Sequence, residues 1–167
     1  MTGGAKFLGH SIHPILVVFP LGLLSTAVVF DIVYLLTNAA SLITVSFWMI
    51  VAGLVGGSLA ALFGWIDWFA IPSGTRAKSV GLIHGLIMAG VMVIFAVSLY
   101  LRYREPNFYS QLGVFAGVLG AAFALVGGWF GGELVERLGI GVHPGAHTNA
   151  PSSLTTEMPG NTEKAAH

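Results

Sequence analysis

The stretch GWIDWFAIPSGTRAKSVGLIH, residues 64–84, decides how the rest of the chain is read. It leaves one long apolar segment through Trp65, Asp67 and Trp68, turns at Pro72, Ser73 and Gly74, and enters a second apolar segment that soon meets His84. Each arm is long enough to cross a bilayer, which takes about 20 residues of helix. An acid and a histidine then stand at the same end of neighbouring helices, and polar groups so close to lipid ask for a reason.

Outward from this hairpin the pattern repeats. Apolar runs cover roughly residues 12–36, 42–69, 79–100 and 109–138, giving an all-α, up-down-up-down four-helix transmembrane bundle. Ser11 suits a helix cap and Pro14 a first turn, where its missing N–H is not needed. Pro20 removes a backbone hydrogen bond to the carbonyl of Leu16 and should kink the first helix. Asp31 lies in the far half of that helix. It must sit near the far interface, turn inward or be protonated, because an ionised group at bilayer centre costs ~2.5–3.5 kcal/mol. Arg102, Arg104, Glu105, Pro106 and Asn107 read as the next loop. The membrane domain spans residues 1–142. From 143 to 167 the chain is polar, with Pro144, Pro151 and Pro159, and is expected to be a disordered tail.

Composition supports this and excludes other classes. Of 167 residues 55% are hydrophobic and only 8% charged, where soluble domains carry roughly 25% charged residues; mean hydropathy is +0.84. With zero formal net charge there is no basic face for nucleic acid. With no cysteine there are no disulfides, thiolate-held clusters or covalently attached haem. Lys6 is the only cation ahead of the first apolar run, which is too long for a secretory leader.

Four crossings bring both termini to one face, here the termini face. Lys6, Arg76, Lys78, Arg137 and Lys164 fall there, against Arg102 and Arg104 on the far face. The positive-inside rule then favours cytoplasmic termini in a bacterial inner membrane. His10, His13, Asp67, His84, Glu133, Glu136, His143 and His147 also gather at the termini face. Small residues recur at helical spacing: Gly53 and Gly57, Gly81 and Gly85, Gly113 and Gly117, then a ridge of Gly120, Ala124, Gly128 and Gly132. Such ridges let membrane helices pack closely; some notches could also admit a flat cofactor.

His13 and His84 are expected at comparable depth on the first and third helices, where two imidazoles can approach one metal from opposite sides. A single bis-histidine b-type haem suits them. Asp67 would orient one imidazole through its second nitrogen, Met88 and Met92 would form an apolar wall below His84, and Trp65, Trp68 and Phe19 would add aromatic surface. Electrons would pass to a redox partner protein or a quinone. Other readings use the same residues. Two histidines and Asp67 can hold a divalent metal with an open position, an Asp–His pair can relay protons, and a cofactor-free bundle can serve as an accessory subunit of a larger membrane complex. Histidine and tryptophan at an interface also occur with no such role, as an aromatic belt, and Asp67 can simply pair with Arg76 or Lys78.

Four motifs, HPILVVFPLGLL from His13, GWIDW around Asp67, LIHGLIM around His84 and GGELVERLGIGV from Gly131, resemble a bacterial four-helix membrane family, a domain of unknown function (DUF2231). The resemblance covers roughly residues 10–142. It implies kinship with small b-type cytochromes, and would carry the family pattern onto His13, Pro14, Phe19, Pro20, Asp67, His84, Gly132, Glu133 and Gly141.

Overall fold

Four membrane-length helical spans, residues Ile12–Thr37, Ala40–Ala70, Arg76–Tyr103 and Gln111–Arg137, make up almost all of the regular structure in the computed structural model, which describes residues 4–154. The first span is broken: α1 (Ile12–Leu16) ends at Val17, and α2 (Val18–Thr37) continues beyond it. The break falls where Pro20 has no N–H to offer the carbonyl of Leu16. The other spans are α3 (Ala40–Ala70), α4 (Arg76–Tyr103) and α5 (Gln111–Gly132), the last finished by a π-helical turn at Glu133–Arg137. Thr75 caps α4 by accepting from the N–H of Lys78, and Ser110 caps α5 by accepting from that of Gly113. Ser11 stands at the N-cap of α1 but makes no side-chain capping bond.

Each long helix buries only 22–28% of its most apolar window. The remaining apolar surface faces outward, as it must where lipid is the solvent. The spans pack in sequence, α2 on α3, α3 on α4, α4 on α5, and α5 back on α2, with α1 lying along α3. The central core comprises Leu24, Ala27 and Val28 of α2, Ile50 of α3, and Val91 and Phe95 of α4.

Close approach is made by glycine, in a different phase from the expected ridge. On α5 the inward positions are Gly113, Gly117, Gly120, Ala124, Gly127 and Gly131, which receive Arg102, Phe95, Met88 and His84 from α4 or pack on the core. Gly128 and Gly132 have nothing within 4 Å of an added Cβ and face outward. Alternating steps of four and three hold one face of a 3.6-residue helix in register, whereas steps of four alone drift off it.

Two features depart from the sequence reading. Before α1 the chain forms a small antiparallel hairpin, β1 (Lys6–Phe7) with β2 (His10–Ser11), turning through Leu8 and Gly9, both at positive φ. At the far face, Arg102 is not a loop residue, since α4 continues to Tyr103 and buries it. Of the expected tail, residues 143–154 lie in turns, Ser153 resting on Gly9; Pro159, Lys164 and His167 lie outside the described residues.

Candidate functional site

At the termini face the two histidines are built alike. The Nδ1 of His13 lies 2.8 Å from the carbonyl of Ala60 on α3, and the Nδ1 of His84 lies 2.9 Å from the carbonyl of Gly127 on α5. A carbonyl can only accept, so each Nδ1 carries a proton, and in the neutral ring this is the tautomer that leaves the Nε2 lone pair free. Glycine makes both seats. An added Cβ at Gly64 would stand 3.0 Å from Cε1 of His13, and one at Gly131 would stand 3.2 Å from Cε1 of His84. Both rings are half-buried.

Asp67 is not the orienting carboxylate, because the backbone carbonyls already occupy the second nitrogens. Its Oδ1 accepts instead from the N–H of Ala5 at 3.2 Å, which fastens the N-terminal hairpin over the end of α3. Nor does it pair with a loop cation. Arg76 reaches Glu133 at 2.6 Å, and Lys78 gives its Nζ to the carbonyl of Trp68 at 2.7 Å while lying 3.8 Å from that ring's centre.

The expected wall divides between two neighbours. Met88 sets its sulfur into the notch at Gly127, and Met92 fills the one at Gly57. Trp65 lies against Gly85 and meets Trp68 edge to face, with ring centres 5.4 Å apart. Phe19 is largely exposed, its Cβ against Gly56. His10 and His143 bond only within their own turns, to Leu8 and Gly145. Among the described residues no three of histidine, aspartate or glutamate come together as a metal-binding group.

The second polar cluster, at the far face, went unread in the sequence. Arg102 of α4 grips Asp31 of α2 with both terminal nitrogens, Nη1 to Oδ1 at 2.9 Å and Nη2 to Oδ2, and both side chains are 0% exposed. Ser46 of α3 donates to Asp31 Oδ1 at 2.7 Å. The Nε of Arg102 donates to Ser98 Oγ at 3.2 Å, which passes its own proton to the carbonyl of Gly113 on α5 at 2.6 Å. All four spans thus meet at one satisfied charge pair. Helical side chains lean toward the N-terminus of their helix, so an arginine in the last turn of α4 is aimed into the bundle. The signal was present: Val91, Phe95, Ser98 and Arg102 share one buried stripe, and Asp31 needed a cation.

Over residues 9–144 the chain matches the family described as "Predicted membrane protein (DUF2231)". That description carries no cofactor and no activity. No curated protein and no solved structure matches the chain. The match spans well over half the sequence, and the chain belongs to that family.

Proposed function

We propose that this member of the DUF2231 family is a multi-pass membrane electron-transfer protein that holds one b-type haem between His13 and His84. One observation carries the reading: both imidazoles commit Nδ1 to a backbone carbonyl of the neighbouring helix and keep Nε2 for a ligand. Histidines that bind metal commonly have their other nitrogen fixed in this way, which sets tautomer and ring orientation before the ligand arrives.

The donor set fits the group. Imidazole nitrogens from two different helices are donors of the kind b-type haem takes, so His13 and His84 would hold the group, and a bound haem would supply reversible one-electron chemistry there. The chain's own residues would do the rest. Gly64 and Gly131 let the rings come close against α3 and α5, and Met88, Met92 and Trp65 would keep the surroundings apolar. Exchange with a redox partner or a quinone would take place at the termini face, where the N-terminal hairpin lies.

Charge supports termini in the cytoplasm of a bacterial inner membrane. With Arg102 neutralised inside the bundle, Arg104 is the exposed cation of the far face, against Lys6, Arg76, Lys78 and Arg137 at the termini face.

Protein purified in detergent from haem-replete cells is expected to show a Soret band that shifts with dithionite, and to lose it in His84→Ala and His13→Ala. A colourless wild-type preparation, or one whose spectrum survives both substitutions, overturns the reading.

A further inference from the structure

At the far face, between the start of α3 and the end of α4, runs a groove of about 500 Å³. Phe47 and Trp48 of α3 line it with Leu99, Tyr100 and Tyr103 of α4, and Phe108 joins them from the following loop. Its wall is built firmly. Phe108 is held at φ +56, a conformation rare for a bulky residue, and its ring stacks on buried Phe47 with centres 4.3 Å apart and planes 17° from parallel. The lining is apolar apart from two tyrosine hydroxyls and the indole N–H of Trp48, as suits a chain lying at the edge of the hydrocarbon layer.

A cation stands at the tyrosine end. Arg104 caps α4 and places Nη1 3.4 Å from the hydroxyl of Tyr100, one of the lining residues. Among the described residues Arg104 makes no ion pair: Asp31 is taken by Arg102, and the neighbouring Glu105, exposed beside it, does not come within 4.0 Å of the guanidinium. The groove thus joins a hydrocarbon-lined cleft to an exposed guanidinium at headgroup level. An apolar wall at the membrane edge beside a cation at headgroup level matches the two ends of a phospholipid, its acyl chain and its phosphate.

We propose that this groove binds one anionic phospholipid, an acyl chain running along the aromatic wall and the phosphate held by Arg104. Guanidinium is the side chain best matched to phosphate oxygens. The site is at the opposite face from the histidines, and its test does not depend on their role.

The experiment is native mass spectrometry of the full-length protein from detergent, titrated with phosphatidylglycerol and with phosphatidylcholine of the same chains. Wild type is expected to retain one phosphatidylglycerol with about fivefold preference, the contribution of one basic residue near the membrane surface. Arg104→Gln should lose that preference while Arg137→Gln, at the other face, keeps it. Ala96→Phe, a substitution at an exposed residue lining the groove, should lose retention of both lipids, with helicity by circular dichroism unchanged. The proposal is overturned by a wild type without headgroup preference, by equal effects of Arg104→Gln and Arg137→Gln, or by undiminished retention in folded Ala96→Phe.

Discussion

Asp31→Asn tests whether the buried charge pair holds the bundle together. The substitution keeps the shape of the side chain and removes its charge, leaving the guanidinium of Arg102 with 0% exposure and no counter-charge. Breaking one side of a buried pair typically costs about 3–5 kcal/mol, because the partner's desolvation is no longer offset. Here Asp31 accepts from both terminal nitrogens of Arg102 and from Ser46, and four spans share the network, so the upper part of that range applies. At about 1.4 kcal/mol per tenfold, the folded-to-unfolded ratio should fall by roughly a thousandfold. Arg102→Met should cost a similar amount by stranding the carboxylate. Asp31→Leu with Arg102→Met removes both charges and should come within about 2 kcal/mol of wild type, since apolar replacement of a whole buried pair is often neutral or stabilising. Unfolding followed by circular dichroism in mixed micelles measures all three. Single variants within 1 kcal/mol of wild type would refute the reasoning, as would a double variant no more stable than the worse single one.

Other expectations follow from local geometry. A Cβ at Gly127 would lie 2.5 Å from the sulfur of Met88, so Gly127→Leu should destabilise by about 1–3 kcal/mol through overpacking. Gly90→Ala, on the same bundle but with nothing within 4 Å, should be neutral or stabilise by up to about 1 kcal/mol; chemical unfolding distinguishes them. Arg76→Gln removes an ion pair whose arginine is 62% exposed, and less than about 1 kcal/mol should go with it in the same assay. Because the chain has no cysteine, Asn107→Cys should react with a membrane-impermeant maleimide in intact cells, while Ser73→Cys should react only after lysis. The reverse pattern would place the termini outside.

Much of the fold is one-dimensional information. Apolar runs of membrane length, the turn at Pro72–Gly74 and the proline at position 20 report directly on spans, a hairpin and a break, because the backbone in lipid must satisfy its own hydrogen bonds and can do so only as helix. The gathering of His13, Asp67 and His84 at one face follows from counting crossings. Which atom meets which does not. Asp67 and the imidazoles share a face, yet the carbonyls of Ala60 and Gly127 take the Nδ1 protons, and backbone acceptors leave no trace in residue identity.

Sequence by itself determined the number of spans, their order and the end at which the histidines stand, all consequences of hydropathy and alternation along one chain. Only the tertiary structure decided that Gly127 and Gly131 rather than Gly128 and Gly132 face inward, and that Asp31 and Arg102, 71 positions apart, close on each other. The physical reason is rotational. A helix's composition fixes its length in the membrane, but its turn about its own axis is set by the neighbours it packs against, and that turn chooses the partners of every polar atom.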